Sequence, residues 1–350
     1  MNWFIETFPK LLKKNLFNTP FNSIVSVFMI TFILKAIFGL FDWLFVSAVF
    51  SGDASTCREM GGFCYPFIKE KLPFIIFGFY PREYIWRPVI AMVILIGSFI
   101  YIKEPKRWGR SSLWILLGAF ALFFFFMRGG LFLEVIPNDK WGGLPLTLML
   151  ASLGILFSYP LGVCLALARR SQLKILKTLS VAYIEMIRGV PLISILFMSS
   201  VMFPLFLPEG VTIDKLLRAQ VAIILFVSAY MAEVIRGGLA SIDKGQYEAA
   251  SSLGLSYFQT MRFVIIPQAI RVVIPPTVNT AIGMFKDTSL VLIIALFDLL
   301  NTTKTSLKDS DWLGFSVEAY VFVALIYYIF CFLMSKYSTR LEDEFGIKSR

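Results

Sequence analysis

The sequence predicts an all-α integral membrane protein that crosses the bilayer about eight times. The chain has 350 residues, of which 57% are hydrophobic and only 16% charged, and its mean hydropathy is +0.75. A soluble domain is about one quarter charged, so this composition indicates a protein of the bilayer. A helix needs about 20 apolar residues to cross a hydrocarbon core of about 30 Å. Eight stretches qualify: residues 23–50, 87–103, 111–127, 144–168, 184–207, 219–236, 273–297 and 316–335.

The distribution of Lys and Arg over the connecting loops predicts that both chain termini lie in the cytoplasm. Cytoplasmic loops carry an excess of basic residues. The loops on the side of the termini hold 19 Lys and Arg, whereas the opposite loops hold 11. A net charge of +10 also occurs in nucleic-acid-binding proteins, but here the basic residues are spread over many short loops. The charge therefore indicates membrane topology and no nucleic-acid partner.

The first twenty residues predict an amphipathic helix on the inner membrane surface. Phe4, Phe8 and Leu11 supply the apolar side, and Lys10 and Lys13 supply the basic side. A continuous apolar region and a small-residue cleavage site, which a signal peptide requires, are both missing from this stretch. A loose leader is the alternative.

The residue inventory argues against an enzyme. The chain contains no His, the commonest general base and metal ligand. It also lacks the G-x-x-x-x-G-K-[ST] phosphate cradle, so any ATP and Mg²⁺ that drive its function must bind another polypeptide. The sequence thus predicts a protein that is not an enzyme, with no cofactor or metal on this chain.

Two cysteines lie in a segment, about 51–86, that the topology places in the periplasm. An oxidising compartment permits a disulfide between Cys57 and Cys64, and unlinked cysteines are the alternative. This segment belongs to an N-terminal membrane region, 1–140, with three spans. Residues 141–341 supply five further spans, and residues 342–350 form a cytoplasmic tail.

Residues 237–272 form the longest predicted cytoplasmic loop, which the sequence divides into two helices. Asp243 is a suitable N-cap for a first helix through Gln246–Leu253, and Gly254 suits the left-handed residue that ends it. Ser256 and Gln259 have the spacing of a capping box for the second helix. Proline has no backbone N–H to donate within a helix, so Pro267 is expected to end the second helix.

The faces of these two helices suggest docking. Ala249, Ala250 and Ser251 form a small-residue face beside Glu248, which lets another surface come close. On the second helix, the spacing of Phe258, Met261 and Ile265 predicts an apolar stripe. A helix that rests on the bilayer is the alternative.

The motif Glu248-Ala249-Ala250, followed by Gly254 and by Pro267, resembles the EAA loop of ABC-importer permeases. In that family this loop is the coupling helix that seats in a groove of the cytoplasmic ATPase. Further motifs resemble the polar-amino-acid branch, and together they cover about residues 143–336. They are RGVPL from Arg188, AEVIRGG from Ala232, KGQ from Lys244, PQA from Pro267 and KDTSL from Lys286. The outer segment from Cys57 to Pro88 resembles general L-amino-acid permeases of the Aap/Bzt type, and more closely their M-type subunit.

This resemblance implies a fold, a function and a set of partners. The fold is the five-helix transmembrane domain of an ABC type I importer with three extra N-terminal spans, in the bacterial inner membrane. The function is translocation of L-amino acids by alternating access. The partners are a second permease subunit (forming a heterodimer), two cytoplasmic ATPases that bind ATP and Mg²⁺, and a periplasmic amino-acid-binding protein. Coupling to the ATPase falls on Glu248, Ala249, Ala250, Gly254 and Pro267.

Ionisable residues inside spans are costly, which makes them candidates for the translocation pathway. Lys286 and Asp287 lie about 16 Å along a helix beyond Pro276, close to the middle of the bilayer. Gly283 and Asp287 suggest a break, with a half-helix beginning at Ser289 whose positive end faces an anion. The alternative is a continuous helix whose two charges face the partner subunit.

Three further polar residues are candidates for the same pathway. Asn279 is a small polar group within a span. Glu185 and Glu233 each have an arginine three residues later, Arg188 and Arg236, so that i,i+3 ion pairs are expected. For these two glutamates the sequence favours a structural role over contact with solute.

Two other functions stay open at this stage. A secondary transporter would use ion gradients in place of ATP, but the two halves show no inverted repeat. A membrane scaffold would only recruit a soluble partner, and it has little need for charges in the middle of a span.

Overall fold

The structure is a computed structural model that describes residues 16–345, and most of these residues are helical. The predicted amphipathic helix and the end of the predicted tail lie outside the described residues. The helices in chain order are α1 Pro20–Phe41, α2 Ala54–Met60, α3 Tyr65–Phe77, α4 Trp86–Ile102, α5 Arg110–Arg128, α6 Gly143–Arg169, α7 Lys174–Gly189, α8 Leu192–Phe197, α9 Lys215–Ala240, α10 Lys244–Ser252, α11 Tyr257–Gln259, α12 Ile266–Asp287, α13 Leu299–Ser306 and α14 Ser316–Glu344.

The predicted spans fall on apolar helices. Within residues 16–345, 6 helices are long and apolar enough to cross a membrane, or up to 7 if one bent pair forms a single span. The shorter helix α4 is also apolar and has 17 residues. The chain is thus an all-α protein with several membrane-spanning helices, while the count of eight and the side of each helix end stay predictions.

Residues 184–207, predicted as one span, do not form one straight helix, because the chain bends sharply near Val190. Helix α7 ends at Gly189, and the following helical segment, Leu192–Phe206, is bent away from it by 102°. The cause is Pro191, whose ring disfavours helical geometry in the preceding residue. Val190 accordingly has an extended backbone, with φ −109° and ψ 133°.

One compact unit contains the chain up to Glu70 together with Ser310–Glu318. A disulfide joins Cys57 and Cys64, whose Cα atoms are 5.6 Å apart. The turn that it closes contains the end of α2. Asp53 caps this helix at its N-terminus, and Gly61, with φ +70°, ends it in a left-handed conformation. Hydrogen bonds from neighbouring residues hold the pKa of Asp53 below its usual range, chiefly the one from the backbone N–H of Thr56.

The other unit, Lys71–Asp309 and the chain from Ala319 onward, contains two apolar clusters. The larger cluster includes buried residues of α4, α5, α6 and α9. The second joins the ends of α6, α7 and α9 to α12 and includes Ala232 and Ile265. Gly162 lets α6 approach α9 closely, since a Cβ there would lie 2.5 Å from the Cβ of Met231. The polar segment 241–265 packs against this second cluster through its buried residues Met261 and Ile265.

Candidate functional site

The first helix of the polar segment is α10, and its ends confirm the capping pattern read from the sequence. The Asp243 carboxylate accepts a hydrogen bond from the backbone N–H of Gly245 at 2.6 Å. At the other end Gly254 has φ +74°, and the N–H of Leu255 donates to the carbonyl oxygen of Ala250 at 3.1 Å. Such an end satisfies carbonyl groups that the helix leaves open. The helix therefore begins and ends at defined residues and presents a fixed surface.

The exposed face of α10 differs from the predicted small-residue face. Ala250 is only 2% exposed, so it belongs to the inner side of the helix. Glu248, Ala249 and Ser251 lie on the exposed side. A nine-residue helix at the surface must bury one side to remain in place, and Ala250 lies on that side. The prediction was therefore right for Ala249 and Ser251 and wrong for Ala250.

The second helix begins with the predicted capping box. The Gln259 side-chain oxygen accepts from the N–H of Ser256 at 2.8 Å, and the Ser256 hydroxyl accepts from the N–H of Gln259 at 3.4 Å. The predicted apolar stripe is only partly right, because Met261 and Ile265 are buried whereas Phe258 is 83% exposed. Phe258 lies on the first turn, before the helix reaches the apolar cluster.

Pro267 does not close this helix, contrary to the prediction. The chain passes from a π-helical turn, Thr260–Ile265, directly into α12, with Pro267 in its first turn. In a π turn the N–H of residue i+5 donates to the carbonyl of residue i. The i−4 pairing that proline disrupts is therefore already absent here. The result is one continuous helix, Tyr257–Ile294, of 38 residues.

Together the two helices present an exposed, mainly apolar surface with one acidic residue. We call this the coupling surface and define it as Glu248, Ala249, Leu253, Tyr257 and Phe258. Leu253 is 80% exposed and Tyr257 is 68% exposed. Apolar groups exposed together in this way are typical of a surface that contacts another protein or the membrane.

A cluster of five charged side chains connects α6, α7 and α9. Glu233, whose side chain is 16% exposed, lies within 4.0 Å of three arginines. Its carboxylate oxygens lie 2.5 Å from Arg169, 2.8 Å from Arg236 and 3.6 Å from Arg188. A carboxylate withdrawn from water requires such partners. The cluster therefore fastens three helices to one another.

The predicted i,i+3 pairs are half right. Glu233 and Arg236 do pair, but Glu185 and Arg188 do not. Glu185 instead pairs with Arg169 at 3.2 Å, and Arg188 is drawn to Glu233. A less exposed carboxylate attracts a neighbouring arginine more strongly than an exposed one, since water screens the exposed charge. The side chain of Glu185 is 56% exposed.

The second group of charged residues lies on α12 and has a different environment. Asn279, Lys286 and Asp287 are exposed on the surface of the chain. Asn279 and Lys286 are seven residues apart, so they share one face of the helix, with Gly283 between them facing open space. Neither Lys286 nor Asp287 makes an ion pair within the part of the chain that the structure describes.

The predicted half-helix at Ser289 is wrong. Gly283 keeps a helical backbone, and α12 continues to Asp287 before it tightens into a 3₁₀ helix, Thr288–Ile294. The Thr288 hydroxyl donates to the carbonyl of Phe285 at 2.9 Å, which carries the chain across this transition. Ser289 is half-buried on the continuing helix. The alternative reading, a continuous helix, is the one observed.

Sequence reasoning missed a buried polar network around α13. The carboxylate of Asp298, which is fully buried, caps this helix through the N–H of Asn301 at 3.1 Å and accepts from the Tyr327 hydroxyl at 3.1 Å. Burial raises the pKa of Asp298, and the hydrogen bonds from Asn301 oppose that rise. The signal that was available is the sequence Asp298-Leu-Leu-Asn301, an acidic N-cap residue before a polar helix.

It also missed Arg87, the largest fully buried side chain among residues 16–345. Its Nε donates to the carbonyl of Phe126 at 2.9 Å, and its Nη1 donates to the carbonyl of Glu134 at 2.9 Å. Cationic side chains stabilise the carbonyl end of a helix. Arg87 therefore fixes the C-terminal end of α5 to the start of α4.

Known proteins that are similar to this chain are membrane subunits of transport systems. Residues 158–343 match the family described as "Binding-protein-dependent transport system inner membrane component". The inner membrane amino-acid ABC transporter permease protein YhdY of Escherichia coli (strain K12) is 47% identical over 339 residues, which are 96% of this chain and 92% of that protein.

Two further comparisons agree with this. The glutamate/glutamine/aspartate/asparagine transport system permease protein BztC of Rhodobacter capsulatus is 34% identical over 401 aligned positions, covering 95% of this chain and 92% of the relative. Among solved structures, the "Crystal structure of an amino acid ABC transporter with histidines" superposes with a TM-score of 0.53 and 34% identity. That match covers 58% of this chain and 92% of the other.

Proposed function

Because the chain belongs to the family of binding-protein-dependent transport system inner membrane components, we propose that it is the permease subunit of an ATP-driven importer of L-amino acids. It is a transport subunit of the inner membrane, where several of its helices cross the bilayer. Members of this family work with an ATPase and a substrate-binding component. We assign ATP and Mg²⁺ to the separate ATPase.

One observation carries this proposal: the continuous helix Tyr257–Ile294. It bears part of the coupling surface at one end and Lys286 near the other, about 40 Å away at the rise of an α-helix. A continuous helix couples a displacement at one end to a displacement at the other. The coupling surface is thus suited to receive the ATPase, and α12 to transmit its movement to the pathway.

The coupling surface supports docking of an ATPase on the cytoplasmic side, in a topology with both termini inside. Glu248 supplies its single charge, and Gly254 fixes the turn between the two helices. A carboxylate in an apolar surface is suited to one basic partner group. Ala249 has no large side chain that would hold the partner at a distance.

The face of α12 supports a second permease subunit and a path between the two. A lysine at the centre of a span costs about 3 kcal/mol when it faces lipid. Lys286 and Asp287 are therefore expected to face either the second subunit or the path that both subunits enclose. The sequence resemblance to Aap/Bzt-type permeases supports a second subunit that is a different permease, and we propose a heterodimer.

An amino acid needs two opposite charges to replace its hydration, and α12 offers both. The ammonium group of Lys286 suits the carboxylate of the solute, and the carboxylate of Asp287 suits its ammonium group. We propose Asn279, Lys286, Asp287 and Ser289 as pathway residues that act after a periplasmic binding protein has delivered the solute. Glu185 and Glu233, which pair with arginines, fix the helices that surround this path.

The experiment is purification of the complete transporter with charge reversal on the coupling surface. Glu248→Lys is expected to reduce retention of the ATPase and to abolish ATP-dependent uptake into proteoliposomes, while the chain remains inserted. Glu344→Lys reverses an equally exposed carboxylate outside this surface and serves as the matched control. Unchanged ATPase retention in Glu248→Lys would refute the docking role. Uptake without ATPase or binding protein would indicate a secondary transporter.

A further inference from the structure

A cavity of about 250 Å³ lies in the unit that contains the disulfide. Its walls come from the disulfide-closed turn on one side and from residues 313–318 on the other. Gly61 and Gly314 leave it open, since a Cβ at either position would meet no atom within 4 Å. Such a volume accommodates an amino acid but not a large ligand.

The cavity is lined by a carboxylate that lacks a partner. Glu318 is 7% exposed. Among the residues that the structure describes, no side chain donates to its carboxylate, whose only hydrogen bond is to its own backbone N–H. A buried carboxylate is stable when a cation or several donors balance it. The carboxylate of Glu318 is therefore suited to bind a cationic group that enters the cavity.

A guanidinium group lines the same cavity and is held apart from this carboxylate. Arg58 Nη2 donates to the carbonyl of Asp311 at 2.9 Å, and the guanidinium lies 5.8 Å from the centre of the Phe315 ring. These contacts fix the guanidinium, and no ion pair joins it to Glu318 within the described chain. Its other N–H groups remain able to donate, since a guanidinium has five.

We propose that this cavity binds a free α-amino acid, with its ammonium group on Glu318 and its carboxylate on Arg58. A carboxylate and a guanidinium that line one cavity without pairing match the two charges of a zwitterion, whereas a simple cation or anion would satisfy only one of them. The ring of Phe315 supplies an apolar wall for the side chain of the ligand. In the proposed topology the cavity faces the periplasm.

The ligand class rests on the proposed function, but the site is separate from the pathway on α12. Binding is therefore measured in the Lys286→Met background, in the complete transporter in nanodiscs without the binding protein. The probes are L-alanine, propionate, which lacks the ammonium group, and ethylamine, which lacks the carboxylate. Calorimetric titration gives the affinity of each probe.

L-Alanine is expected to bind, and each variant Glu318→Gln and Arg58→Gln is expected to weaken it about tenfold or more, the effect of losing one charge-assisted hydrogen bond. Propionate and ethylamine are expected to bind about tenfold more weakly than alanine for the same reason. Glu59→Gln removes a neighbouring exposed carboxylate outside the cavity and should leave the affinity unchanged.

Three results would overturn the proposal. The first is the absence of alanine binding. The second is an alanine affinity of Glu318→Gln and Arg58→Gln equal to that of the protein with both residues intact. The third is ethylamine binding as tight as that of alanine. Retention of the Cys57–Cys64 disulfide and of the elution volume shows that each variant is folded. Loss of transport in Lys286→Met with intact alanine binding would separate this site from the proposed pathway.

Discussion

Two groups of charged residues lie on the long apolar helices, and their environments are opposite. In the first, Glu233 is 16% exposed and contacts three arginines of the same chain. In the second, Lys286 and Asp287 are exposed and make no ion pair within residues 16–345. Charges that are balanced within the chain fasten helices together. Charges left unbalanced on an apolar helix are available to another subunit or to solute.

The largest expected effect is on the balanced group. Glu233→Gln leaves three arginines without their shared carboxylate, and removing one partner of a partly buried ion pair destabilises by about 3 kcal/mol. The melting temperature of the purified subunit, followed by size-exclusion chromatography, should fall clearly. Glu185→Gln, at a 56% exposed position, should change the free energy of unfolding by less than about 1 kcal/mol. If Glu233→Gln melts like the wild type, the cluster does not fasten the helices.

The second prediction concerns the unbalanced group. Lys286→Met should leave the melting temperature of the isolated subunit nearly unchanged, because no partner within the described chain is lost. ATP-dependent uptake by the assembled transporter should fall about tenfold or more, since a charged contact to solute or subunit is removed. Lys336→Met, at another exposed lysine, is the control. A stability loss comparable to that of Glu233→Gln would show that Lys286 is balanced within its own chain.

A third carboxylate, Asp298, differs from both Glu233 and Asp287, because it is buried and its hydrogen-bond partners are neutral. Burial raises its pKa in the folded protein above the ordinary value of 3.8. Its protonation therefore stabilises the fold below pH 3.8, and this contribution is lost as the pH rises through the raised value. Asp298→Asn removes the titration. Relative to this variant, the melting temperature of the wild type should decrease as the pH rises from 4. If the melting temperatures of the wild type and of Asp298→Asn change with pH in parallel, the prediction is wrong.

Local chemistry explains why the ends of the two helices that carry the coupling surface were predictable. The Asp243 cap, the Ser256–Gln259 capping box and the left-handed Gly254 each depend on residues a few positions apart. Such contacts form wherever the helix forms. The continuation through Pro267 was not predictable, because it requires a π turn that packing of Met261 and Ile265 against other helices stabilises.

Charge partners were only partly predictable within one helix, where one of two expected pairs forms, and were not predictable between helices. The pair of Glu233 and Arg236 follows from spacing along α9, while Arg169 reaches Glu233 across 64 positions. Likewise the bend at Pro191 follows from a local rule, but its angle of 102° depends on what each half packs against. The cavity at Glu318 joins segments that are far apart in sequence, and no spacing indicates it.

The sequence by itself determined the membrane class, the apolar helices and the helix ends of the coupling surface. These depend on the transfer of apolar side chains from water and on hydrogen bonds between near neighbours, both of which are properties of short segments. The tertiary structure alone decided which charges are paired within the chain and which side of α10 is exposed. It also decided that the helix from Tyr257 to Ile294 is continuous. Burial and long-range ion pairing depend on which helices meet, and that information lies in no single segment.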